Sequence, residues 1–199
     1  MNKIERSECP ECLASHSAEW TEHFIRKRKK DPGYWDWHQF KGLAVNSILV
    51  PLLTAMSQGR CSYCNIYPVI KGAVSPSIDH FRPKSKFPEL AFEWSNLFLS
   101  CQQCQSYKRD DFDEPVEPLK PDALEYDFDH WFQIKWEDCT IEPNPLRSPE
   151  EQKRAEATIE WLGLNRDSRP QVRASEVKRY SQVGGPLEDW SYAFLLERC

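Results

Sequence analysis

No run of about 18 apolar residues occurs in this chain of 199, so no membrane-spanning helix is expected. The opening residues, Met1-Asn2-Lys3-Ile4-Glu5-Arg6, lack the apolar core of a signal peptide, and a cytoplasmic location is the expectation. Nothing reads G-x-x-x-x-G-K-[ST], so ATP is not expected to bind here through a phosphate-cradling loop. No internal repeat is visible. Positive charge is also in deficit: 26 Lys and Arg stand against 31 Asp and Glu, a formal net charge of −5. That balance excludes binding to nucleic acid by bulk charge and leaves only a local basic patch, or a partner's help.

What is present is material for a core. Hydrophobic residues make up 40% of the chain and aromatic residues 13%, and eight Trp are spread along it. A chain of this length is one domain with appendages or two small ones, and the tryptophans read first as packing residues. Cysteine is the other abundant feature, with eight. In a reducing compartment, paired C-x-x-C motifs point to metal rather than to disulfides.

Punctuation along the chain suggests an α+β, mostly helical protein in four regions. Residues 1–58 read as an N-terminal helical region that includes the basic run Arg26-Lys-Arg-Lys-Lys30, a turn at Asp31-Pro-Gly33 and a helical pattern over 35–58. Pro51 is expected to kink or restart that helix and Gly59 to end it. Residues 59–112 give the order strand (77–81), loop, strand (97–100), helix (101–109). Residues 113–147 form an acidic, proline-rich connector with a possible strand at 131–136. The stretch from Asp110 to Asp129 holds nine acidic residues and one Lys, and is expected to be extended at least in part. Residues 148–199 read as a C-terminal helical region. It starts with a capping box at Ser148 and Glu151, stops once at Gly163, and continues through helical segments at 170–182 and 186–197.

The chemistry concentrates between Cys61 and Lys108. Four thiolates at Cys61, Cys64, Cys101 and Cys104 would saturate a tetrahedral zinc ion and leave no open position, so that ion would be structural. Asp79 and His80 are adjacent, and only at a strand end can both approach one centre, the carboxylate on a metal and the imidazole on a water. Arg82, Lys84 and Lys86 follow, and Lys108 and Arg109 lie on the helix. These five are candidate phosphate contacts, which would position nucleic acid without reading its sequence. Cys9 and Cys12, with His16 or His23, read as free thiols in preference to a second zinc site. The Arg26–Lys30 run reads as a solvated helix end in preference to a nucleic-acid contact. Cys139 and Cys199 suggest no chemistry, and His38 and His130 read as packed or surface residues.

This pattern, C-S-Y-C, then I-D-H-F-R-P-K-S, then F-E-W-S-N-L-F-L-S-C-Q-Q-C and Lys108, resembles the zinc-stapled HNH, or ββα-metal, endonucleases. Its wording is similar to the branch found with retrons and as the PtuB subunit of Septu anti-phage systems. A looser likeness extends through I-E-W-L-G-L-N165. The resemblance implies structural zinc on Cys61, Cys64, Cys101 and Cys104, His80 as general base, and Asp79 as ligand of a catalytic Mg²⁺ or Mn²⁺. It also implies that Asn96 braces the loop between the strands. The second ligand of the catalytic ion is Asn or His in the family, and Gln105 stands at that position here. The implied partners are a PtuA-like ATPase, nucleic acid (DNA by default, tRNA or other RNA as the alternative) and a retron reverse transcriptase with its msDNA. A non-catalytic zinc module bridging partner and nucleic acid is the reading from a different class.

Overall fold

The computed structural model describes residues 1–70, 74–108, 110, 112 and 116–199. Among these the chain forms seven α-helices and three two-stranded antiparallel sheets. Helix α1 (Glu11–Arg28) buries Leu13, Trp20 and Phe24 at helical spacing and ends on Arg26, Lys27 and Arg28. Cations there complement the negative end of the helix dipole. The expected helix over 35–58 is half hairpin. Strands β1 (Gln39–Phe40) and β2 (Leu43–Ala44) pair across Lys41 and Gly42, both left-handed at φ 51° and 80°, the backbone of a tight two-residue turn. Helix α2 (Val45–Met56) then runs through Pro51 without restarting. It stops where Gly59, at φ 71°, donates its N–H to Thr54 O at 2.8 Å.

The central unit is strand, long loop, strand, helix. Strand β3 (Pro76–His80) pairs antiparallel with β4 (Leu97–Cys101), Pro76 opposite Cys101 and His80 opposite Leu97. Every residue of β4 is buried, because α2 and the aromatic loop side chains cover the hairpin. Helix α3 (Gln102–Lys108) leaves β4 with no intervening loop. Chain direction therefore reverses within one residue of Cys101, which brings the second C-x-x-C back against the first.

Where it is described, at residues 110, 112 and 116–129, the acidic stretch is anchored to the rest of the chain. Phe112, Leu119 and Tyr126 are buried, Leu119 N–H donates to Thr158 Oγ1 at 2.8 Å, and Ile4 N–H donates to Pro121 O at 2.9 Å. Arg6 meets Asp122 at 2.5 Å. Helix α4 (Phe128–Trp131), the hairpin of β5 (Phe132–Lys135) and β6 (Thr140–Pro143), and helix α5 (Pro149–Trp161) follow. Ser148 and Glu151 form the reciprocal capping box that the sequence signals.

Gly163 ends α5 at φ 58°. A Cβ there would lie 2.7 Å from Tyr107 Cδ2 and 3.0 Å from Tyr107 Cβ, so glycine lets α5 close on α3. Helix α6 (Arg169–Val183), a 3₁₀ turn at Leu187–Asp189 and helix α7 (Ala193–Leu196) complete the chain. Arg60, buried beside Cys61, donates to the carbonyls of Leu187 (2.9 Å), Glu188 (2.8 Å) and Trp190. No helix among the described residues is long and apolar enough to cross a membrane.

Candidate metal centre and catalytic cleft

The sulfurs of Cys61, Cys64, Cys101 and Cys104 lie within 4.8 Å of one another, all four residues buried. The first pair sits on a turn in which Cys61 N–H donates to Ile66 O at 3.0 Å and Asn65 N–H to Cys61 O at 2.9 Å. The second pair comes from the β4–α3 junction. Backbone N–H groups point at the sulfurs, Cys101 N to Cys61 Sγ at 3.3 Å and Cys104 N to Cys101 Sγ at 3.4 Å. Sulfurs arranged tetrahedrally at ordinary zinc distances stand about 3.8 Å apart, and Cys64 Sγ to Cys101 Sγ is 3.8 Å. Soft donors, closure and spacing all fit zinc. Four thiolates on one dication leave two negative charges, and a buried cation answers them. Arg169 Nη2 donates to Cys104 Sγ at 3.1 Å, while Nη1 donates to Leu162 O at 3.2 Å and Gly163 O at 3.1 Å. Burial would lower the guanidinium's proton affinity, but Cys104 and Cys64 outweigh it and raise it above the ordinary arginine value.

Beside this knuckle opens a cleft of about 360 Å³, lined among others by Asp79, His80, Lys84, Gln105, Lys108 and Asp110. Strand β3 ends at His80, which is how two consecutive side chains reach one cleft. Asp79 is buried. Tyr63 Oη donates to its Oδ2 at 2.6 Å, and Lys108 Nζ lies 3.1 Å from the same oxygen. Burial raises the Asp79 pKa, with Lys108 and Tyr63 holding it back. Lys108, expected to reach outward for phosphate, is itself buried and also donates to His80 O at 2.6 Å, with its ammonium over the Trp161 ring. Gln105 is anchored to β3 at both ends of its amide. Oε1 accepts from Ser77 Oγ at 3.0 Å and Nε2 donates to Ile78 O at 3.3 Å. A carbonyl oxygen keeps a second lone pair, so Oε1 can still accept a cation.

His80 is boxed by rings: Trp35 stands edge-on at 5.1 Å and Trp37 is stacked at 6.3 Å. Burial, with help from the Lys84 charge, pushes its pKa down to about 3, so the imidazole is neutral at physiological pH. Nε2 lies 2.9 Å from Ala91 O. A carbonyl only accepts, so Nε2 carries the proton and the lone pair sits on Nδ1. Asn96 ties the ends of the 81–96 loop: Oδ1 accepts from Arg82 N at 2.8 Å, and Nδ2 donates to Arg82 O at 3.0 Å and Leu90 O at 3.1 Å.

Of the described candidate phosphate contacts, Lys84 and Lys108 line the cleft and Arg82 and Lys86 do not. Arg82 pairs with Glu117 at 2.8 Å, and Lys86 donates to Phe112 O at 3.1 Å. Arg109 lies outside the described residues. Among the described residues, the four-cysteine group alone gathers three or more Cys, His, Asp or Glu donor atoms. Cys9 is exposed, and His16 stacks on Trp20. Four neighbours of the centre went unsingled in the sequence: Tyr63, Arg169, Trp35 and Trp37. Tyr63 had a signal, lying inside the first C-x-x-C. The tryptophans are distant in sequence and had none.

Residues 61–111, about a quarter of the chain, match the family model of the HNH endonucleases, and the matched stretch coincides with the cysteine knuckle and the cleft. Relatives extend the likeness beyond it. Over 119 residues the chain is 28% identical to the Septu protein PtuB of Bacillus thuringiensis, covering 60% of this chain and 41% of that protein. A second Septu protein PtuB, from Bacillus mycoides (strain KBAB4), is 36% identical over 80 residues, covering 33% and 26%. A Vibrio cholerae (serotype O1 biovar El Tor) protein named "Retron Vc95 putative HNH endonuclease" is 28% identical over 155 residues, covering 71% and 68%. The match thus spans less than half the length of either PtuB protein.

Proposed function

We propose that this chain is a metal-dependent endonuclease that hydrolyses phosphodiester bonds, with DNA as the favoured substrate. The observation that carries this reading is the meeting of Asp79 and a neutral His80 in one cleft directly above the cysteine knuckle. His80 Nδ1 takes the proton from the attacking water, a role for which a deprotonated imidazole held by its other nitrogen is suited. Asp79 and Gln105 supply hard oxygen donors for Mg²⁺ or Mn²⁺, which would polarise the scissile phosphate and stabilise the departing 3′ oxygen. Asn96 holds the loop that fixes His80 through Ala91. Lys84 meets the phosphate backbone and Arg109 shares that duty, whereas Arg82, Lys86 and Lys108, engaged within the protein, add only to the local positive potential.

By likeness to the Septu and retron relatives, the nuclease is the effector of an anti-phage complex. A PtuA-like ATPase gates it, and in a retron setting a reverse transcriptase and its msDNA accompany it. Purified protein, alone and with such an ATPase, is expected to cut nucleic acid with Mg²⁺ or Mn²⁺. His80→Ala should abolish cutting with the zinc content unchanged; an unchanged rate in that variant refutes the assignment. A second reading, a non-catalytic zinc module, draws on one observation: the Asp79 carboxylate is already engaged by Tyr63 and Lys108. Zinc-replete wild-type protein that cuts neither DNA nor RNA with any divalent ion, even beside its partner, would establish it.

A further inference from the structure

The basic run that closes α1 is left over once the cleft is accounted for. Five cations in a row, Arg26 to Lys30, stand on a chain of net charge −5. A helix dipole needs only one or two cations in its last turn, and Lys29 and Lys30 lie past the last helical residue, Arg28. None of the five makes an ion pair among the described residues, although Glu22, Asp31 and Asp36 are close in sequence. An edge-to-face pair of rings, Phe24 and Trp35, links the run to the cleft. The Arg28 guanidinium stands over Phe24 (5.6 Å), Phe24 packs on Trp35 (5.3 Å), and the Lys84 ammonium stands over Trp35 (4.6 Å) while lining the cleft. Trp35 in turn abuts His80.

We infer that the end of α1 and Lys84 form one continuous cationic track for a polynucleotide backbone, so that phosphates away from the scissile bond are held by the N-terminal helix. The inference rests on the nucleic-acid reading above and adds to it the surface that supplies affinity. Cations that make no ion pair among the described residues can each displace a condensed counterion, whereas Arg82 and Lys86 are already engaged with an acceptor. Because the contacts are to phosphate, the track is indifferent to sequence.

The test is binding of a fluorescent oligonucleotide by the full chain in buffer without divalent ions, across a salt series, comparing wild type with Arg26→Ala/Lys29→Ala/Lys30→Ala. These side chains are exposed, and zinc content with thermal melting checks the fold. Three lost phosphate contacts should weaken binding roughly ten- to a hundredfold near physiological salt and flatten the log–log salt slope by about 2 to 3. Equal affinity and slope in the variant overturn the track while leaving the nuclease reading intact. Track-dependent binding without cleavage in Mg²⁺ or Mn²⁺, with the ATPase partner present, keeps the track and removes the nuclease. A wild type that binds neither DNA nor RNA removes both.

Discussion

Gly163→Ala tests how the C-terminal helices are joined to the β3–β4–α3 unit. The substitution adds one methyl group, but at φ 58°, where a side chain on an L-residue costs about 1–2 kcal/mol. The methyl would also sit 2.7–3.0 Å from Cδ2, Cγ and Cβ of Tyr107. Two of these atoms are at the root of that side chain, so Tyr107 cannot swing clear unless α3 moves. Overpacking of this kind costs about 1–3 kcal/mol. Reduced freedom of the unfolded chain offsets about 0.4–1 kcal/mol, leaving a net loss of about 1–4.6 kcal/mol. For a chain of this size that is a fall in Tm of roughly 2–18 °C, measurable by thermal melting and urea titration. Because α3 carries Cys104, Gln105 and Lys108, the variant should also release zinc to a chelator faster than wild type. Gly163→Ala combined with Tyr107→Ala should be less destabilised than the two changes added separately. A stability within about 0.5 kcal/mol of wild type would refute the claim that glycine is required by this approach.

Two further outcomes follow from the site. Arg169→Met removes the cation beside Cys104 and its hydrogen bonds to Leu162 and Gly163. Breaking a buried charge pair costs about 3–5 kcal/mol, so faster zinc loss to a chelator and a lower urea midpoint are expected; unchanged zinc retention would show that Arg169 does not compensate the thiolates. Asn96→Ala strands the Arg82 N–H and the carbonyls of Arg82 and Leu90, at about 1–3 kcal/mol for the buried groups together. Amide exchange at Arg82 should accelerate sharply, and an unaltered rate there would mean that the loop is held by something else.

The strand–loop–strand–helix unit was readable because it is built from local signals: two C-x-x-C turns, a β-branched residue before Asp79-His80, and helical residues directly after Cys101. The capping box at Ser148 was readable for the same reason. What escaped is what depends on distant parts of the chain. Acidic and proline-rich composition hid the anchors Leu119 and Tyr126, whose burial is set by Thr158 and the N-terminal residues. Lys108 read as a surface cation because helical position alone cannot foresee Asp79 and Trp161 closing over it. The Lys41-Gly42 turn fell inside an apolar pattern that also suits a helix. Trp35 and Trp37 gave no sequence sign that they wall the His80 ring, since the contact crosses more than 40 residues.

The Arg60 clamp has a consequence for how the protein is made. Its three carbonyl partners lie at Leu187, Glu188 and Trp190, and the Arg169 that answers the thiolates lies 65 residues beyond Cys104. All four cysteines have therefore been synthesised well before the residues that lock and neutralise them. At roughly 5–20 residues per second, the interval from Cys104 to Trp190 lasts on the order of 5–20 s. For most of that time the nascent chain carries four thiolates without Arg169 as their counter-charge, and throughout it an Arg60 without its full set of carbonyl partners. A chain cut before α6 would hold its four cysteines without Arg169, and should lose zinc to a chelator faster than the full chain.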